Sequence, residues 1–164
     1  MPLLLTLMLG CAPSEDTGAT VTPQAQIGTG EWEWSELSDG GEIEVIQGPQ
    51  GGFHLLGSVR VAGLEAGDPD SLGDADNPTS TFQVWVEGVP LAPGAVYVQG
   101  LEPILGEGTL FSHEMVGRFA ILDIESDDVL DGVSVEFEVE VVDVDGIVVQ
   151  DSRSLVAVPH PLNN

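Results

Sequence analysis

Hydrophobic and polar side chains alternate with a period of two along much of the chain from about residue 30 onward. Such alternation is typical of β-strands with one buried face. The clearest run is 133–142, in which apolar residues alternate with glutamates, and Asp145-Gly146 then indicates a hairpin turn. A three-residue loop at 144–146 predicts that Val141 pairs with Val149 on the buried face.

Shorter runs of the same kind predict the remaining strands. In 53–61 the apolar side chains share one face, and in 31–35 Trp32 and Trp34 share one face. In 118–125 apolar residues occupy both faces, which predicts a central strand. Residues 102–116 fit no single element. The predicted strands are 31–35, 42–46, 53–61, 81–87, 95–101, 118–125, 133–142 and 147–158.

Composition agrees with a chain of many short strands joined by turns. The 164 residues include 21 Gly and 11 Pro, and 42% are hydrophobic, which is enough for one domain with one core. With a single cysteine the chain cannot form an internal disulfide, so the core has to hold the fold.

The end of the chain, from Val139 to Val158, resembles the closing hairpin of bacterial Ig-like modules of the PKD or fibronectin type III kind. That resemblance implies an all-β, Ig-like antiparallel β-sandwich of about 7–8 strands without a disulfide. It also implies a spacer, adhesion or scaffold role. The predicted sandwich covers 27–158, followed by a C-terminal tail at 159–164.

The N-terminus is an apolar run that leads straight into the cysteine, MPLLLTLMLGC. Its last five residues resemble a bacterial lipobox, although no Lys or Arg precedes the run and Met8 stands where Leu is usual. The resemblance implies a signal peptide at 1–10 and acylation of Cys11, followed by a flexible linker at 11–26. It further implies an exported protein that is lipid-anchored at the cell envelope. Because Ala12 and not Asp follows the cysteine, the outer membrane is expected if the source is Gram-negative.

The chain is strongly acidic, with 28 Asp and Glu against 3 Lys and Arg and a net charge of −25. Nucleic acid is excluded as a partner because phosphate would be repelled. Cations, basic partners and simple solubility remain as explanations. Glu136, Glu138 and Glu140 form a row on the polar face of their strand, where Arg153 of the last strand offers a countercharge.

The polar loop between 65 and 81 is the best candidate for a metal site, because calcium prefers carboxylate and carbonyl oxygens. Its spacing begins like an EF-hand, but Leu72 and Thr79 occupy ligand positions, so an irregular site is expected. The alternative is that these residues only form turns. The candidate calcium ligands are Asp68, Asp70, Asp74, Asp76 and Asn77.

Trp85 falls on the polar face of its strand, so it is a candidate to stack on a sugar or contact a protein partner. The chain has no G-x-S-x-G elbow and no zinc-binding pattern, and we expect no catalytic residues. The sequence therefore favours a non-catalytic binding or structural module whose ligand is unknown. The alternatives are a calcium-dependent module that binds carbohydrate or a surface, and an envelope hydrolase.

Overall fold

The computed structural model describes residues 21–106 and 108–163, so the predicted signal peptide and Cys11 lie outside the described residues. Within these ranges the chain forms eleven strands and one 3-10 helix, Asp127–Leu130. The strands are β1 Gln24–Thr29, β2 Ser35–Glu36, β3 Glu42–Gln47, β4 Phe53–Ala62, β5 Thr79–Val86, β6 Val89–Pro90, β7 Ala95–Val98, β8 Glu102–Pro103, β9 His113–Leu122, β10 Ser134–Val142 and β11 Val148–Pro159.

These strands form a β-sandwich that is not closed into a barrel, which confirms the predicted all-β fold class. One layer contains β1, β2, β4, β8 and β9, and the other contains β5, β6, β7, β10 and β11. Strand β3 joins the layers, since its start pairs with β11 and its end with β4. The β3–β11 pair is parallel and the other strand pairs are antiparallel, a detail that the alternation pattern does not contain.

The core lies between the two layers, and the faces predicted for β4 and β10 are the ones that are buried. Val59, Phe137 and Val139 are each 0% exposed. Gly57 of β4 makes room for the aromatic side chains, because a Cβ there would lie 2.7 Å from Phe82 and 3.1 Å from Phe137. The period-two pattern therefore identifies the inner faces correctly.

The closing hairpin has the predicted register. Val141 pairs with Val149, and both side chains are buried. The Asp143 N–H donates to the Ile147 carbonyl at 3.1 Å, which leaves a three-residue loop. Gly146 has φ +79°, the left-handed conformation that such a loop requires.

Two predictions about strands are wrong, the existence of one strand and the central position of another, and both concern exposed apolar side chains. Residues 31–34 are not a strand, and Trp32 is 84% exposed. The 118–125 segment is not central, because β8 pairs with the first two residues of β9 and ends there. The outward-facing Phe119 and Ile121 are consequently 49% and 55% exposed. Tyr97 closes this edge, since its hydroxyl accepts from the Phe119 N–H at 3.0 Å and donates to the Phe119 carbonyl at 2.8 Å.

Other element boundaries differ from the predictions by a few residues. No strand was predicted at β1, which begins at Gln24, inside the predicted linker 11–26 and three residues ahead of the predicted domain start. The unassigned stretch 102–116 contains β8 and the start of β9. The only helix of the described ranges has four residues, so no helix there is long enough to cross a membrane.

Candidate functional site

Residues 30–34, which we call the strap, connect β1 to β2 across the outer face of β4 and β9. Below the strap, Gly117 bulges out of β9 opposite the fully buried Ser58. The Ser58 hydroxyl accepts from the Gly117 N–H at 3.2 Å and donates to the Gly30 carbonyl at 3.5 Å. Gly117 has φ +71°, and a Cβ there would lie 2.3 Å from the Glu31 carbonyl oxygen. The strap therefore rests directly on the backbone of β9.

Trp34 anchors the strap to the sheet. The Arg60 guanidinium carbon lies 4.1 Å from the centroid of its ring, within the range of a cation–π contact. Arg60 Nε in turn donates to Glu114 Oε2 at 2.8 Å. On the other side, a Cβ on Gly28 would lie 2.3 Å from Trp34 Nε1, so only glycine leaves room for the indole.

Trp32 is 84% exposed and lines a depression of about 330 Å³. Leu72 reaches the same depression from the 68–77 loop and is 74% exposed. At its floor, Arg118 Nε donates to Gln99 Oε1 at 3.1 Å and Nη1 donates to the Val116 carbonyl at 2.8 Å. The depression thus combines two exposed apolar side chains with a fixed set of polar groups.

Several exposed carboxylates are neighbours of Trp32 in sequence or belong to the segments that form the depression. Glu31 and Glu33 are its neighbours in the strap, and both are exposed. Glu102 of β8 lines the depression and is exposed, as is Asp70 of the loop that carries Leu72. Glu102 and Glu114 line the depression together with one cation, Arg118, so carboxylates outnumber cations there.

The predicted calcium loop is organised by its own turns. Asp68 Oδ1 accepts from the Asp70 N–H at 3.0 Å, and Asp74 Oδ1 accepts from the Asp76 N–H at 2.9 Å. Asn77 is buried, and its side chain bonds the Asp68 N–H and the Ser71 carbonyl. Turn chemistry accounts for these contacts, as the alternative interpretation predicted.

Part of that loop borders a second depression, of about 690 Å³, at one end of the sandwich. Asp143 holds this end together, since its buried carboxylate accepts from the Ile147 N–H at 2.8 Å and the Glu65 N–H at 3.1 Å. Within the described residues, no three His, Cys, Asp or Glu side chains are grouped so that they hold one metal ion. Calcium binding remains a prediction. The polar lining consists of Glu65, Asp68, Asp74, Asp76, His113 and Asp145.

Trp85 is partly buried on the outer face of the other layer. It lies opposite Glu136 of β10 and Pro90 of β6, and its indole nitrogen is covered without a hydrogen-bond partner among the described residues. Its role as a ligand contact remains a prediction. Trp32 is much more exposed than Trp85. The sequence did not indicate this exposure, because the alternation of Glu and Trp at 31–34 is typical of a strand.

Arg153 does not neutralise the glutamate row, contrary to the sequence-based expectation. In the β10–β11 register it lies opposite Phe137, whose side chain points into the core. Its guanidinium bonds Asp151 and the Leu37 carbonyl. Glu140 instead accepts a hydrogen bond from Gln150 on the outer face.

The three histidines lie on separate parts of the fold. His54 pairs with the end of β9 and His113 pairs with Val61, seven residues along β4, which places them roughly 23 Å apart at 3.3 Å per residue. Burial removes water from the His54 ring and thereby lowers its pKa below the ordinary value. The centroids of the His54 and Phe119 rings are 4.3 Å apart. His160 follows β11, with Glu44 as its nearest acid at 3.8 Å.

In comparisons with known proteins, the chain matches no family model, no curated protein and no solved structure.

Proposed function

We propose that the chain is a lipid-anchored, non-catalytic module of the bacterial cell envelope, and that Trp32 is the centre of its contact surface. The observation that carries this proposal is a tryptophan with 84% of its surface exposed on a strap that the sheet holds in place. Large aromatic side chains contribute much of the binding energy of protein surfaces. A fixed support reduces the entropy that is lost when such a side chain is immobilised by a ligand.

The anchor is the lipobox-like segment that ends at Cys11. An acylated cysteine with several chains holds a protein firmly to a bilayer. Cys11→Ser removes the acylation site, so we expect the variant to leave the membrane fraction while the wild type stays in it. If the variant remains membrane-bound, the anchor is assigned wrongly. The Ig-like character of the sandwich, with its adhesion or scaffold role, belongs to the same proposal.

Retention of the full chain on immobilised polysaccharides and on protein-coated surfaces tests the contact claim. Trp32→Ala should abolish retention on whichever surface holds the wild type. Val129→Ala is the matched control, because Val129 is 57% exposed in the 3-10 helix and does not line the depression. Equal retention of both variants would contradict the role of Trp32.

The calcium-dependent alternative rests on the depression at the end of the sandwich, where acidic residues of three segments meet. A cation that binds only the folded chain raises its stability, by about 2.7 kcal/mol at a hundred times the dissociation constant. Thermal melts in EDTA and in rising calcium, with a matched ionic-strength control, decide the question. A saturable shift that Asp74→Ala or Asp76→Ala removes supports this alternative, and a shift equal to the salt control rejects it.

A further inference from the structure

We propose that the depression beneath Trp32 binds a lysine- or arginine-bearing segment of a basic polypeptide. This inference rests on the proposed function, because it names the class of partner for the same contact surface. Three features of the described residues carry it: the chemistry of the exposed ring, the charge around that ring and a matching arrangement two residues further along the strap.

The exposed indole face is the strongest cation–π partner among the aromatic side chains. Glu31 and Glu33 are the sequence neighbours of Trp32, and Glu102 lines the same depression. All three are exposed and therefore accessible to a ligand. An ammonium or guanidinium group above Trp32 has both a ring to stack on and carboxylates to pair with.

The chain itself supplies no lysine for this position, and its three arginines, all within the described ranges, are each held by other groups of the chain. Arg60 pairs with Glu114, and Arg153 pairs with Asp151. Arg118 lines the depression, but its guanidinium is bound to Gln99 and the Val116 carbonyl and lies 5.8 Å from the ring centroid of Tyr97. With a net charge of −25, the protein also attracts basic partners over long distances.

Trp34 shows the proposed arrangement in its completed form. There an arginine lies over the indole at 4.1 Å and is held by a glutamate at 2.8 Å. Trp32 has the indole and the glutamates, but no arginine of the chain lies over its ring in the part that the structure describes. We infer that an arginine or lysine of the partner takes the place that Arg60 takes over Trp34.

Binding of a fluorescein-labelled oligo-arginine peptide to the full chain, followed by anisotropy, tests the inference. An oligo-citrulline peptide of equal length is the uncharged control and should not bind. Trp32→Ala should weaken binding about 2- to 30-fold, the range expected when a cation–π contact is lost. Thermal melts confirm that the variant is folded.

A pair of double variants separates the site from bulk charge. Glu31→Gln with Glu33→Gln, and Glu136→Gln with Glu138→Gln, each remove two negative charges, but the second pair lies on β10 in the other layer. We expect the strap variant to weaken binding clearly more than the β10 variant. Equal losses of affinity in the two double variants would overturn the inference. So would an unchanged affinity of Trp32→Ala for the oligo-arginine peptide, or binding of the oligo-citrulline peptide as tight as that of the oligo-arginine peptide.

The same experiment distinguishes this inference from the proposed function. If the oligo-arginine peptide does not bind, but a neutral polysaccharide retains the wild type and not Trp32→Ala, the basic partner is wrong and the contact surface stands. If no surface and no peptide shows any dependence on Trp32, both are wrong.

Discussion

Arg60 and Trp34 connect the sheet to the strap, with the guanidinium carbon 4.1 Å from the ring centroid. Arg60 lies on β4, does not line the depression, and is positioned by its ion pair with Glu114. We therefore expect the orientation of Trp32 to depend on a contact between two residues that do not line the depression.

Replacing Arg60 should weaken the attachment of the strap to the sheet. We expect Arg60→Ala to lower the free energy of unfolding by about 1–2 kcal/mol, since it removes both the contact with Trp34 and the packing of the arginine stem. Urea denaturation measures this loss. Trp32→Ala should change stability by less than about 0.5 kcal/mol, as is usual for exposed positions. Equal stabilities of the two variants would show that Arg60 does not support the strap.

Gly117→Ala should displace the strap. Alanine is strained at φ +71°, and its Cβ would lie 2.3 Å from the Glu31 carbonyl oxygen. We expect a loss of about 1–3 kcal/mol in the free energy of unfolding, together with loss of Trp32-dependent binding. Gly73→Ala is the control, because a Cβ at position 73 would meet no atom of the described residues within 4 Å. A folded Gly117→Ala protein with unchanged binding and stability would contradict the described packing.

Asp143→Ala should destabilise the end of the sandwich. Its carboxylate accepts hydrogen bonds from two backbone N–H groups, those of Ile147 and Glu65, in a buried position. Leaving these donors unpaired costs about 2–4 kcal/mol. The exposed Asp145 of the same turn provides the comparison, and Asp145→Ala should stay within about 0.5 kcal/mol of the wild type in urea denaturation. Similar losses in both variants would refute the special role of Asp143.

His54 should make stability depend on pH in a defined direction. Burial lowers its pKa below the ordinary 6.5, so below that pH the unfolded chain takes up a proton before the folded chain does. The contribution of neutral His54 is present above pH 6.5 and is lost as the pH falls from 6.5 towards the lowered pKa of the folded state.

The many carboxylates of the chain also titrate in acid, so the comparison of interest is between variants. Between about pH 7.5 and 5.5 the wild type should lose more stability than His54→Gln. Parallel curves for the two proteins would contradict the pH-dependent contribution of His54 to stability.

Much of the sandwich follows from local patterns in the sequence. Alternation alone identified the buried faces of β4 and β10, and the Asp-Gly signal fixed the register of Val141 with Val149. These features depend on residues close together in the chain. The parallel pairing of β3 with β11 brings together residues more than a hundred positions apart, and no local pattern contains it.

The sequence pattern did not indicate the exposed position of Trp32, the centre of the proposed contact surface, for a related reason. Glu31 to Ser35 alternates like a strand, yet the backbone there crosses the sheet because Ser58 and Gly117 hold it from below. Phe119 and Ile121 led to the prediction of a central strand because they place apolar side chains on the second face of 118–125. Their outward exposure depends on how short β8 is, and hydrophobicity alone does not indicate that.

Photo-crosslinking in intact cells tests most directly whether the chain makes contact at Trp32. A photoreactive amino acid at Leu72 reports on the depression and leaves Trp32 in place, and the same group at Val129 reports on a surface away from it. We predict an adduct from position 72 that disappears when Trp32→Ala is added, and none from position 129. Equal adducts from both positions, or an adduct from position 72 that survives Trp32→Ala, would contradict a contact surface centred on Trp32.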